Sequence, residues 1–173
     1  CHDDAIGAVL MAWQGGMEGA MAEADILCGD VNPSGKLTDT FAASFDDYPS
    51  SAGFNESRDY VCYTEDIFVG YRYFETIPGA AEKVNYPFGF GLSYTTFRLE
   101  PLISQGDDER IFVTVRVTNT GNTTGREVVQ VYSSAPQSRL DMPKLELRAF
   151  QKTRLLQPGQ AQQVLGDAAE PLR

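Results

Sequence analysis

Glu18 follows Gly15-Gly16-Met17 at the expected start of a helix, and of the 24 carboxylates in the sequence it is the best placed to meet a ligand. The dipole of a helix favours the ionised form of a carboxylate at its N-terminus. An ionised carboxylate suits hydrogen bonding to sugar hydroxyls or to loop amides more than proton donation. Contact with a substrate and bracing of the glycine turn are the two roles open to it. A second group, Glu65-Asp66 with Tyr71, Tyr73 and Phe74, has the carboxylates and stacking rings that line a sugar cleft, and it equally suits plain loop packing. Hydrolysis of a glycosidic bond needs two carboxyl groups flanking it, one to protonate the leaving oxygen and one to attack or to activate water. Spacing alone selects no such pair.

Other chemistries find less support. Gly29-Asp30-Val31-Asn32-Pro33-Ser34-Gly35-Lys36 imitates a phosphate loop, but five residues separate its glycines instead of four, and Leu37 stands where a hydroxyl would bind magnesium. The segment also follows a helix, whereas a phosphate loop opens one. It reads instead as a rigid turn, with Pro33 fixing one φ and Gly35 allowing a positive one. There is no Gly-x-Ser-x-Gly elbow, and the single histidine, His2, leaves a serine or cysteine triad without a base. His2, Asp3 and Asp4 read as a solvated start rather than a metal site, and no metal or cofactor is expected. Cys1, Cys28 and Cys62 lack metal-ligand spacing and read as free thiols, which leans toward a reducing, cytoplasmic setting.

The elements that must position these groups fall into two kinds. Ala5 to Trp13 is a nearly continuous apolar run ending at Gly15-Gly16, as expected of a parallel strand covered on both faces. Met17, Ala20, Met21, Ala24, Leu27 and Cys28 then form one helical stripe, and Gly29 supplies the stop. Strand, glycine turn and helix make one βα unit of an open sheet, whose ligands lie beyond the carboxyl ends of the strands. Residues 30–97 are crowded with turn signals and read as long ordered loops, interrupted by a short strand over Ile67 to Phe74. From Arg110 the period changes to two: Ile111, Val113, Val115 and Val117 face one way, and Phe112, Thr114, Arg116 and Thr118 the other. A second strand is expected over Val128 to Tyr132, with further pieces at Leu145 to Phe150 and Arg154 to Leu156. Residues 110–165 thus supply four or five strands, fewer than the roughly seven of a complete sandwich. The polar segment from Ser104 to Glu109 is the expected boundary, dividing the chain into residues 1–103 and 104–173.

Composition narrows the partners. A net charge of -10 disfavours nucleic acid and anionic lipid surfaces, and no stretch reaches the roughly 18 apolar residues of a membrane span.

Four segments in order resemble glycoside hydrolase family 3. They are Trp13-Gln14-Gly15-Gly16-Met17-Glu18-Gly19, Ala24 through Leu37 with its Asn32-Pro33-Ser34-Gly35-Lys36, Tyr63 through Phe74, and Tyr86 through Phe97. Val115 to Gly121, Gly125 to Tyr132 and Pro143 to Phe150 resemble the fibronectin type III-like domain of the same family. The resemblance implies the end of an α/β three-layer sandwich with long loops over 1–103, and an incomplete fibronectin type III-like sandwich over 104–173. It further implies a retaining, exo-acting, β-glucosidase-like enzyme acting on oligosaccharides or glucosides. Its aspartate nucleophile would lie on a barrel domain missing from this segment, and its glutamate acid/base upstream of Cys1. No residue here inherits a catalytic role, and the segment is expected to be inactive alone. The stretch between Phe41 and Glu65 looks closest to members that place these domains before the barrel, which makes this an internal piece. A stand-alone carbohydrate-binding or adhesive module is the competing expectation.

After Gln163 the sequence departs from alternation. Val164 to Arg173 reads V-L-G-D-A-A-E-P-L-R, so the sandwich is expected to stop short and the isolated chain to be poorly stable.

Overall fold

The computed structural model describes residues 5–106, 110–136 and 141–169. Cys1, His2, Asp3 and Asp4, part of the 104–109 segment and the last four residues lie outside the described residues.

The apolar run from Ala5 to Trp13 departs from expectation. It forms no hydrogen-bonded strand, and its side chains are exposed, Trp13 to 65%. A strand exists through the ladder it shares with a neighbour, and no described segment pairs with this run. The helix does form: α1 spans Gly19–Cys28, and Gly29, left-handed at φ 84, closes it by donating its N–H to the Ile26 carbonyl at 3.1 Å. Its apolar stripe faces outward, with Met17 98% and Leu27 73% exposed, while Gly19 is its buried residue. The expected strand packed under a helix is therefore not what these residues make by themselves.

Asn32 to Gly35 forms no hydrogen-bonded turn, and Gly35 does not take a positive φ. The close approach is to Gly91, where any Cβ would collide with the Gly35 carbonyl oxygen. Two backbone bonds clip the segments together, Leu37 N–H to Phe90 O and Gly89 N–H to Leu37 O, each 2.8 Å.

β1 (Phe41–Ala42) pairs antiparallel with β2 (Val84–Tyr86). The strand expected over Ile67 to Phe74 is instead α2 (Tyr71–Thr76). Gly70, at φ 58 and ψ -130, turns the chain into this helix and accepts the N–H groups of Tyr73 and Phe74. Pro78 follows its end. Strand propensity yields here to tertiary packing, because Tyr71 and Phe74, three residues apart, come to one helical face and both pack inward.

The β part follows its period. β3 (Phe97–Gly106), β4 (Arg110–Asn119) and β7 (Ala161–Ala169) form one antiparallel sheet in the order β3-β4-β7, and β5 (Val128–Ser133) pairs with β6 (Glu146–Lys152) in another. Val115, Val117 and Val164 from the first sheet meet Val129 from the second around Leu156, with Phe97 and Val113 packed alongside. Arg116 is exposed on the outer face. Two findings modify the sequence reading. The division expected at residue 104 falls inside β3, whose first residue, Phe97, already pairs with Asn119. The non-alternating tail does not end the sheet, since β7 stays paired with β4 as far as Ala169 opposite Arg110. Ladder bonds join backbones, so pairing survives where alternation lapses.

Candidate functional site

Glu18 occupies the N-cap position of α1 and is exposed. Its carbonyl accepts the N–H of Ala22 at 3.1 Å, and its side chain makes no capping bond. The preceding turn depends on glycine: Gly16 sits at φ 64, and a Cβ on Gly15 would lie 2.7 Å from the Gly19 Cα. The carboxylate thus projects from a turn that only small backbone allows, and it does not brace that turn by capping.

The second candidate group separates. Glu65 closes a turn through its carbonyl, which accepts Phe68 N–H at 2.9 Å, and Asp66 lies exposed at φ 52. Tyr71 packs on Phe88 with ring centroids 4.7 Å apart and meets Tyr132 edge-on at 6.0 Å. Phe74 is buried edge-on against Tyr48 at 5.7 Å and beside Tyr73 at 5.2 Å. These rings serve packing.

Beside them lies an open hollow of roughly 340 Å³ lined by Thr38, Asp39, Val69, Gly70, Tyr71, Arg72 and Phe88. Asp39 Oδ1 accepts Thr40 N–H at 2.8 Å, and Arg72 Nη2 lies 3.7 Å from Glu146 Oε1. The other oxygen of Glu146 holds Arg148 at 2.7 Å. One carboxylate and one guanidinium border the hollow, and a lone carboxylate cannot supply both groups that glycosidic hydrolysis requires.

The densest polar array is one that spacing did not reveal. Asn32 Nδ2 donates to the Thr124 carbonyl, 92 residues away, at 3.1 Å. Its Oδ1 accepts Tyr94 N–H at 2.8 Å and the Ser93 hydroxyl at 3.0 Å. Lys36 pairs with Glu127 at 2.9 Å and donates to the Gly91 carbonyl at 2.9 Å. The lysine of the phosphate-loop lookalike is thus committed to structure. Behind this array Asn119, fully buried, accepts from Thr95 Oγ1 and Gly121 N–H and donates to the carbonyls of Thr123 and Leu156. Burial, then Tyr71, then Glu75 hold the Tyr132 phenol above its ordinary pKa. Cys28 and Cys62 are free and exposed. Among the described residues no group of three metal-ligating side chains converges, and no helix is long and apolar enough to cross a membrane.

Comparison with known proteins places this arrangement. Residues 2–94 match the family described as Glycosyl hydrolase family 3 C-terminal domain, and residues 127–167 match the Fibronectin type III-like domain. The sequence is 60% identical to beta-glucosidase A of Butyrivibrio fibrisolvens over 94% of this chain and 21% of that protein. It is 45% identical to a beta-glucosidase of Ruminococcus albus over 94% of this chain and 17% of the other. Among solved structures, the beta-glucosidase of Paenibacillus barengoltzii superposes with a TM-score of 0.85 at 50% identity, over 90% of this chain and 17% of that one. Beta-glucosidase 3B of Thermotoga neapolitana in complex with glucose gives 0.85 at 44% identity, over 92% and 22%. The chain spans about a fifth of the length of these relatives.

Proposed function

Because the chain belongs to glycosyl hydrolase family 3, we propose that it is one part of a retaining, exo-acting β-glucosidase that releases terminal non-reducing β-D-glucosyl residues from oligosaccharides or glucosides. The observation that carries this is the succession of two family matches, C-terminal domain then fibronectin-like domain, in a sequence whose relatives are beta-glucosidases. The nucleophile and the acid/base belong to polypeptide outside this segment, and Glu18 is a substrate-contacting carboxylate at the rim of the shared pocket. Its exposure at a glycine turn, with no capping bond of its own, supports that role.

The whole first domain is a three-layer α/β sandwich in which the Ala5–Trp13 run joins a sheet. Support comes from the uncovered apolar surface. Burying a large apolar side chain stabilises by about 1.5–3 kcal/mol, so Val9, Trp13, Met17, Met21 and Leu27, all exposed here, together favour cover by the remaining polypeptide. The seam with the fibronectin-like domain lies just before Phe97 rather than at residue 104, since β3 pairs with β4 along its length. The same uncovered surface weighs against a self-sufficient binding module.

The test is an assay on a chromogenic β-glucoside. The purified segment should be inactive, and the longer polypeptide that carries both the barrel domain and the acid/base segment should be active. Turnover by the segment alone, surviving repurification, would place the catalytic groups within it and overturn the proposal.

A further inference from the structure

We infer that Asn32 is a positioning residue: it ties the fibronectin-like part to the C-terminal end of α1 and so sets where that helix presents the Gly15-Gly16-Glu18 turn. This rests on the proposed contact between that turn and substrate.

The orientation of the Asn32 amide is fixed by its partners. Its oxygen faces two donors, Tyr94 N–H and Ser93 O–H, while its nitrogen faces the Thr124 carbonyl, so a flipped amide would oppose like with like. Gly125 makes the approach possible, because a Cβ there would stand 2.6 Å from Asn32 Nδ2. Tyr94 then acts as a strut. Its N–H is held by Asn32, and its hydroxyl donates to the Ile26 carbonyl in the last turn of α1 at 2.9 Å. Val31 N–H, next to Asn32, returns to the Asp25 carbonyl at 3.1 Å.

The two ends of the helix are held unequally. At the C-terminal end these bonds lead through Asn32 to the β part. At the other end Gly19 N–H bonds locally to Gly16 O at 3.3 Å, and the run before the turn meets the rest through the ring contact of Trp13 with Phe41 at 6.3 Å, with no ladder among the described residues. A ten-residue helix is a stiff rod about 15 Å long. Displacing its clamped end moves Glu18 at the far end, with no contact between Asn32 and substrate.

Substitutions in the full-length enzyme carrying this segment separate the arms. Asn32→Asp keeps the acceptor for Tyr94 and Ser93 but sets a carboxylate oxygen against the Thr124 carbonyl. Asn32→Ala removes both arms, and Tyr94→Phe removes only the strut's bond to Ile26. The expected result is a KM on an aryl glucoside raised on the order of tenfold in both Asn32 variants, and less in Tyr94→Phe, with kcat within about twofold. Backbone amides of residues 16–22 should exchange faster in all three. A lowered Tm with KM unchanged would mean a merely structural role and overturn the inference. Glu18→Gln distinguishes the two layers. If it raises KM while the Asn32 variants do not, the substrate contact stands and the positioning role fails. If the Asn32 variants raise KM while Glu18→Gln does not, the turn is positioned as inferred and another of its groups meets the sugar. Should the Asn32 variants fail to fold, Tyr94→Phe decides by the same KM criterion.

Discussion

The phenolic oxygen of Tyr71 accepts the backbone N–H of Leu147 at 2.7 Å, so a residue of α2 completes the bonding of strand β6. Replacing Tyr71 with Phe keeps the ring against Phe88 and strands that part-buried N–H. The expected destabilisation is about 1–2 kcal/mol, read from urea unfolding, together with faster exchange of the Leu147 amide.

Lys36 and Glu127 are mostly buried, and each has a further partner, the Gly91 carbonyl for the lysine and Val128 N–H for the glutamate. Removing one charge leaves the other uncompensated. Lys36→Met should cost roughly 2–3 kcal/mol, below the fully buried limit because both groups retain some solvent. Lys36→Met combined with Glu127→Leu should cost less than the sum of the two single changes, and a double-mutant cycle on denaturation midpoints measures the difference.

Gly70 sits at φ 58 and ψ -130, where a side chain is strained whatever room surrounds it. The nearest atom to an added Cβ, Asp39 Oδ1 at 3.6 Å, is an ordinary contact, so Gly70→Ala isolates the backbone effect. A loss of about 1–3 kcal/mol is expected, with the start of α2 loosened, and thermal unfolding with amide exchange over Tyr71–Thr76 tests it.

Tyr132 supplies a pH dependence. Burial, reinforced by Tyr71 and Glu75, raises its folded-state pKa above the ordinary 10.0. The unfolded chain therefore releases the proton first as pH rises, and the neutral phenol favours the folded state only below that range. Stability should be level below about pH 10 as far as this group is concerned, then fall as pH climbs through the raised value. Tyr132→Phe should flatten that alkaline decline, despite losing the hydroxyl's bond to Gln130. A decline equally steep in the variant would assign it to other groups.

What could be read from the sequence was what is local. The period of two over Ile111 to Val117 placed Val115 and Val117 in the core, and Gly29 stopped α1 where expected. What could not be read depends on distant partners. Ile67 to Phe74 has strand composition, yet Gly70 and the need to bury Tyr71 and Phe74 on one face make a helix. Ala5 to Trp13 has the composition of a buried strand, and among the described residues it finds no ladder to join. The role of Asn32 rests on Thr124, Ser93 and Tyr94, and no short spacing announces partners so far along the chain. At the candidate site, the glycine turn and the exposed carboxylate were legible, whereas the helix clamp behind them was not.

Strand β5 has a hydrogen-bonded neighbour on one flank, β6, and none on the other among the described residues. Peptide groups on that vacant flank accept any extended polypeptide that reaches them, whether from the same molecule or another. Refolding is then a race between intramolecular closure and lateral association of copies. Dilution favours the first outcome and concentration the second, so the yield of dispersed chain should fall as protein concentration rises.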